Sequence, residues 1–172
     1  MDTIPFCPVK PLRGGKPLDS LFNKLMADPQ WMAQAKLDGR RAVWDGDGVL
    51  WSRQRNNLKD IAVSPVAALQ GCTHVMDGEF IRTLGKDDGT FYPFDLPDHP
   101  GNLDERTAAL KIIVGGINDP SVVLCPFEVL WPQVDVNGWE GIVLKKRSSF
   151  YPKARVDGKT TPAWVKYRAE WL

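Results

Sequence analysis

Apolar residues recur along this chain in two rhythms. Leu18, Leu21, Phe22, Leu25 and Met26 fall at i, i+3, i+4, i+7 and i+8, the spacing of one buried helix face. Asp19 or Ser20 can cap that helix, and Asp28-Pro29 ends it. Elsewhere, short apolar runs broken by Gly, Pro, Asn and Asp predict strands. They cover residues 31–36, 41–44, 49–53, 74–81, 90–96, 121–130, 139–146 and 163–167, the 121–130 run being interrupted by Pro126. Asp45-Gly46-Asp47-Gly48 joins the second and third as a hairpin, with Trp44 and Trp51 as packing residues. Further helices are predicted over residues 57–70, weakened by Pro65, and 103–114, where Leu103, Ala109, Leu110 and Ile113 face a core. Gly115-Gly116 stops the latter. Residues 1–17, rich in Pro and Gly, read as an irregular lead-in with one short strand near Phe6. Strands dominate without a regular strand–helix alternation, so the predicted class is α+β, with largely antiparallel sheets flanked by helices.

Composition narrows the function less than distribution does. The chain's 172 residues are expected to form a single domain, 1–172, large enough for a sizeable core. With 22 basic and 21 acidic residues, overall charge predicts no polyanion partner. The last quarter differs: Lys145, Lys146, Arg147, Lys153, Arg155, Lys159, Lys166 and Arg168 are opposed only by Asp157, which suggests a polyanion-binding face. Three scattered cysteines argue against a disulfide framework or zinc site and fit a reducing compartment. Two histidines give little support to a His-ligated metal or a Ser-His-Asp triad. No apolar run reaches membrane-spanning length and the N-terminus has no signal-peptide core, so no membrane partner and a cytoplasmic location are expected.

The stretch that carries chemistry is Lys36-Leu37-Asp38-Gly39-Arg40. It sets an amine nucleophile beside a glycine that permits a tight turn or close approach, and beside a planar cation suited to phosphate or sugar oxygens. A free lysine titrates near 10.4, so a nucleophilic one needs burial or neighbouring cations to lower it. Four more stretches follow in order: Asp77-Gly78-Glu79, Phe94-Asp95, Glu140-Gly141-Ile142-Val143 and Trp164-Val165-Lys166.

Together the five resemble the covalent nucleotidyltransferase superfamily of ATP-dependent DNA ligases, RNA ligases and mRNA-capping guanylyltransferases. The resemblance spans residues 17–168. It looks most like the adenylation domain of an ATP-dependent DNA ligase, because Ser52-Arg53 and Leu103-Asp104-Glu105-Arg106 also match that pattern. The resemblance implies an ATP-grasp-like nucleotidyltransferase domain with the nucleotide cleft between its sheets. Lys36 would attack the α-phosphate of ATP and hold AMP as a phosphoramidate. Arg40 and Glu79 would engage the ribose, Phe94 would stack on adenine, and Lys145 and Lys166 would neutralise phosphate charge. Glu140 would hold a divalent cation, Mg²⁺ with Mn²⁺ as a substitute. Arg53 and Arg168 would contact nucleic-acid phosphate. The implied partner is nicked double-stranded DNA, and the implied setting is repair, replication or recombination in a bacterium or bacteriophage. Two alternatives stay open: an RNA ligase or guanylyltransferase-type enzyme, and a non-catalytic nucleotide- or nucleic-acid-binding module.

The pattern departs from these ligases in three places. They continue into an oligonucleotide-binding (OB) barrel that would not fit after Leu172, so three alternatives stand: an isolated domain, a separate protein supplying that role as partner, or an enzyme that works without it. The closing Lys166-Tyr167-Arg168 stands where Lys-x-Lys is usual. The link from Leu130 to Glu140 looks too short for the helix that ligases often carry there.

Overall fold

In a computed structural model the described residues are 4–15, 19–58, 69, 71–86, 88–115 and 123–169. Two four-stranded sheets face each other. The first has the order β2-β10-β8-β3 and is built from β2 (Lys10–Arg13), β3 (Trp31–Lys36), β8 (Gly141–Lys146) and β10 (Thr160–Arg168). The second has the order β5-β4-β6-β7, from β4 (Arg40–Trp44), β5 (Leu50–Ser52), β6 (Met76–Arg82) and β7 (Gly89–Asp95). A two-stranded ribbon pairs β1 (Cys7–Pro8) with β9 (Lys153–Ala154). Among the described residues every pairing is antiparallel except β2 with β10. The α+β expectation is therefore met.

Each sheet has its own core and shares a third. Helix α1 (Ser20–Met26) is capped by Asp19, whose side chain accepts from the Phe22 amide at 2.8 Å. It lays Phe22 and Leu25 on the first sheet, while Leu21 points outward. Helix α2 (Leu103–Ile113) starts at a capping box of Asn102 and Glu105 and ends before Gly115, whose φ of +76° is the left-handed conformation glycine tolerates. It buries Leu103 and Leu110, with Leu110 set among Trp44, Leu50, Met76 and Phe80 of the second sheet. Between the sheets, Val43 and Trp51 meet Trp164, Tyr151, Ile4 and Phe6. That shared cluster fixes how the two sheets sit across the cleft.

Three expectations need correction. The described part of the predicted 121–130 strand, residues 123–130, is not a continuous strand: Cys125 makes an isolated bridge to Ala33, and helix α3 (Phe127–Leu130) follows Pro126 at its N-cap. Proline has no amide to give a ladder, yet it fits before a helix, where the amide would be unpaired anyway. The link from Leu130 to Glu140 also holds a second short helix, α4 (Gln133–Asn137), so this segment is not stripped of helix. The lead-in is more ordered than its prolines suggest, because β1 and β2 both pair with strands from the last quarter of the chain. The helix predicted over residues 57–70 falls almost wholly outside the described residues. Among the described residues, no helix is long and apolar enough to cross a membrane.

Candidate active site

The cleft between the sheets has a volume of about 230 Å³. Strand alternation decides what it displays. Gln34 and Lys36 come from β3, Val143 and Lys145 from β8, and Trp164 and Lys166 from β10, each pair two residues apart and so on one face. The second sheet contributes Arg41, Glu79 and Phe94, and Arg53 follows β5. Of the residues singled out in the sequence, Lys36, Arg53, Glu79, Phe94, Lys145 and Lys166 line this one space.

Lys36 is the last residue of β3 and pairs with Gly141 of β8. Its ammonium donates to Glu140 Oε2, and Arg168 makes an ion pair with the other carboxylate oxygen of Glu140. The backbone repeats the connection, since the Glu140 amide donates to the Lys36 carbonyl at 2.9 Å. Burial lowers the Lys36 pKa to about 8; Glu79 opposes that shift, and Arg168 and Lys166 add to it. Glu79 is raised to about 7, again mainly by burial, with Lys36 and Arg41 pulling the other way. The two groups are thus brought toward the same pH range from opposite sides. Gly39 is needed for close approach: a Cβ there would stand 2.6 Å from the Phe80 carbonyl oxygen.

Arg41, and not Arg40 as the sequence suggested, reaches the cleft. Arg40 is exposed and does not line the cleft, whereas Arg41 does. Arg41 donates through Nε to Asp77 Oδ1 at 3.0 Å, through Nη2 to Asp77 Oδ2 at 2.5 Å and through Nη1 to the Val9 carbonyl at 2.7 Å. Its guanidinium carbon lies 5.5 Å from the Phe94 ring centroid and 5.4 Å from that of Trp164. Period-2 counting would have found it. Val43 faces the inter-sheet core, so Arg41, two residues earlier, shares its face and Arg40 does not.

Behind Phe94 lies a buried charge network that the sequence reading missed. Arg106 of α2 is fully buried and clamps Asp95, with Nε 2.6 Å from Oδ1 and Nη2 3.3 Å from Oδ2. Its Nη1 donates to the carbonyls of Gly101 and Ser149. Asp95 ends β7, so this clamp fixes the strand that carries Phe94. Helical spacing did hint at it, because Arg106 lies three residues after Leu103 and four before Leu110. Lys145 is also buried, 3.7 Å from Asp95, with its ammonium 4.6 Å from the Phe94 centroid and 4.3 Å from that of Trp164. Its Nζ makes no hydrogen bond among the described residues, and burial lowers its pKa to about 8.

Part of the basic run of the last quarter is taken up within the protein. Lys145 is internal, Arg147 pairs with Asp104 at 2.8 Å and Lys153 with Asp98 at 2.7 Å. Asp157 pairs with Arg53 at 3.1 Å. Glu140 supplies the hard oxygens a divalent cation prefers, but here each oxygen faces a cation. No group of three His, Cys, Asp or Glu side chains is placed to hold a metal among the described residues. That fits Mg²⁺ only in its usual nucleotide mode, with one or two carboxylates and the remaining oxygens from phosphate and water.

Two sheets enclosing a lysine-ended strand, an aromatic wall and clustered cations make up the nucleotidyltransferase fold that the five stretches implied. Solved structures of DNA and RNA ligases share that fold. The ligase domain of LigD from M. tuberculosis matches with a TM-score of 0.72 at 21% identity, over 95% of this chain and 59% of that one. A Chlorella virus DNA ligase–adenylate matches with a TM-score of 0.62 at 14% identity, over 93% of this chain and 67% of that one. An archaeal ATP-dependent RNA ligase matches with a TM-score of 0.62 at 17% identity, over 96% of this chain and 48% of that one. In sequence, a DNA ligase of Haemophilus influenzae is 36% identical over 94 residues, covering 47% of this chain and 35% of that protein. The chain thus spans about a third of the curated relative it matches. No protein-family model matches it.

Proposed function

We propose that this chain is the adenylyl-transferring domain of an ATP-dependent DNA ligase. The observation that carries the reading is Lys36 itself: a half-buried amine lowered to about 8, opening into a cleft walled by Phe94 and edged by Lys166. The neutral Nζ attacks the α-phosphorus of ATP. A nitrogen–phosphorus bond forms, the bond from that phosphorus to the bridging oxygen breaks, pyrophosphate leaves and the amine proton passes to solvent. A 5′-phosphate oxygen at a nick then displaces Lys36 from the adenylate. Finally the neighbouring 3′-hydroxyl displaces AMP and closes the strand.

The chain's own groups suit these steps. Phe94 offers a face for adenine, and the Lys145 ammonium behind it, paired with Asp95 but without a hydrogen bond, is a buried donor with capacity left for an acceptor. Arg41, held flat by Asp77, and Glu79 stand where the ribose would lie, and Lys166 meets phosphate charge. Glu140 would hold Mg²⁺, which when bound would offset charge on the phosphates. Until nucleotide enters, the Glu140 carboxylate steadies the Lys36 ammonium, so ion pairing and nucleophilicity compete for the same nitrogen.

DNA is preferred over RNA because the sequence match is to a DNA ligase. The experiment is intact-mass measurement after incubation with ATP and Mg²⁺, and again after pyrophosphate. One added adenylate, removed by pyrophosphate and absent in Lys36→Ala, is the expected result. A wild-type protein that never gains AMP overturns the reading and leaves a binding module. Labelling from GTP instead would select guanylyl transfer.

A further inference from the structure

We propose that the Asp157 carboxylate holds the place of a phosphate on Arg53, as an internal competitor that a terminal phosphate must displace to bind in the cleft. The proposal takes phosphate as the cleft's ligand from the adenylyl-transfer reading above, and it assigns a role to the one acidic residue of the basic last quarter. Its first support is where Asp157 directs its charge. Arg155 and Lys159 flank it in sequence, yet it forms an ion pair with Arg53, a residue of the cleft wall far earlier in the chain. The contact is one of charge and not of alignment. Arg53 Nε lies 3.1 Å from Asp157 Oδ1, but that buried nitrogen makes no hydrogen bond among the described residues. A terminal phosphate improves on both counts. It carries about 1.5 to 2 negative charges at neutral pH against one for a carboxylate. A guanidinium also takes two of its oxygens in parallel hydrogen bonds.

The second support is that the two partners are held differently. Arg53 follows β5 in a pinned turn. The Ser52 amide donates to the Asn56 carbonyl at 2.8 Å, the Arg55 amide to the Ser52 carbonyl at 2.9 Å and the Asn56 amide to Ser52 Oγ at 3.1 Å. Arg55, at φ +65°, is the one non-glycine residue with a positive φ among the described residues, so this turn is held in a costly shape. Asp157 stands instead on the exposed loop 155–159. That loop is tied at one end where β9 pairs with β1, and at the other where the Lys159 carbonyl accepts from the Lys10 amide at 2.8 Å. Between the ties, Gly158 sits at φ +90° with open space around it. The arginine can therefore stay in place while the carboxylate withdraws.

The test compares wild-type protein, Asp157→Asn, Arg53→Ala/Asp157→Asn and, as a control for lost negative charge, Asp104→Asn, whose partner Arg147 does not line the cleft. Thermal unfolding checks folding. Two sources of phosphate are titrated at low salt: ATP without metal, followed by calorimetry, and nicked duplexes ending in a 5′-phosphate or a 5′-hydroxyl, followed by fluorescence anisotropy. If the phosphate is that of the nick, the ratio of 5′-phosphate to 5′-hydroxyl affinity should rise about threefold in Asp157→Asn, the range of a half-exposed ion pair. It should stay level in Asp104→Asn and lose the gain in the double variant. If the phosphate is that of ATP, the same gain appears in the ATP titration and the nick ratio stays level. A gain in neither titration, or one that survives the loss of Arg53, overturns the proposal. A wild-type protein that takes no AMP would sink the earlier reading, whereas these titrations read binding without turnover and decide this inference by themselves.

Discussion

Arg41 and Asp77 are joined by two near-parallel hydrogen bonds, Nε to Oδ1 at 3.0 Å and Nη2 to Oδ2 at 2.5 Å, with the Asp77 carboxylate fully buried. The Tyr151 hydroxyl donates to the same Oδ2 at 2.7 Å, and Asp77 holds the Arg41 pKa above even its usual high value despite burial. Removing the arginine leaves a buried carboxylate with one neutral donor. Arg41→Ala should therefore cost about 3–5 kcal/mol in urea unfolding at pH 7. Arg41→Lys should recover only part of this, because an ammonium cannot reproduce the planar fork. A loss below about 1 kcal/mol would place the pair among weak surface bridges.

Lys36 should set the pH dependence of nucleotide capture. Its pKa is lowered to about 8, so the reactive neutral amine is the minority form at neutral pH. The second-order rate of adenylate formation at low ATP should rise about tenfold per pH unit below that value and level off above it. Single-turnover labelling between pH 6 and 10 reads this directly. A flat profile would show that deprotonation of Lys36 does not limit the step.

Lys145 makes the folded state sensitive to alkaline pH. Its pKa falls from the ordinary 10.5 to about 8 in the folded protein, so between those values the unfolded chain binds the extra proton. Stability attributable to this group therefore rises as pH increases from about 8 to 10.5, because the cost of burying the charge disappears. Lys36, lowered for the same reason, contributes with the same sign. Lys145→Met should unfold at higher denaturant than wild type at pH 7 and show a shallower rise toward pH 10. Its adenylate formation should fall, since the buried donor behind Phe94 is gone.

Phe94 meets Lys145 and Arg41 on its ring and would present a face to adenine. Phe94→Ala should weaken ATP binding by ~1–3 kcal/mol, and Phe94→Tyr should keep most of it. Calorimetric titration in a Lys36→Ala background separates this from the covalent step. Equal affinity for the alanine variant would mean that Phe94 is core packing only.

Gly141 sits between Lys36 and Arg168 in the first sheet, at φ +149°, where an added Cβ would lie 2.0 Å from the Tyr167 carbonyl oxygen. Gly158, at φ +90°, has nothing within 4 Å of such a Cβ. Gly158→Ala should therefore show backbone strain alone, about 1–3 kcal/mol. Gly141→Ala adds a backbone collision and should lose both stability and adenylate formation beyond the control. Equal effects at the two sites would remove the crowding argument.

What could be read from residues alone follows from range. Lys36, Glu79, Phe94, Lys145 and Lys166 announce themselves through short local patterns, and each reaches the same cleft. Trp31–Lys36 was legible as a strand because its ends are marked by Asp28-Pro29 and Asp38-Gly39. Arg41 was passed over for its neighbour, although alternation with Val43 distinguishes the two faces. The Arg106 clamp and the β2–β10 pairing were not legible. An arginine on a helix usually reads as solvated, and proline-rich segments read as loops. Arg106 becomes structural only through Asp95 at the end of the preceding strand, and β2 only through Thr160–Arg168 far along the chain.

The parallel contact of β2 with β10 ties residues 10–13 to residues 160–168. Contacts of such long sequence separation form late and slow folding. During synthesis Lys36 emerges early, yet Trp164 and Lys166 follow only after some hundred and thirty further residues. A nascent chain thus carries its lysine exposed, with neither the dry floor nor the neighbouring charges that lower its pKa. The lysine's surroundings are completed in one late event, when β10 pairs with β8 on one side and β2 on the other.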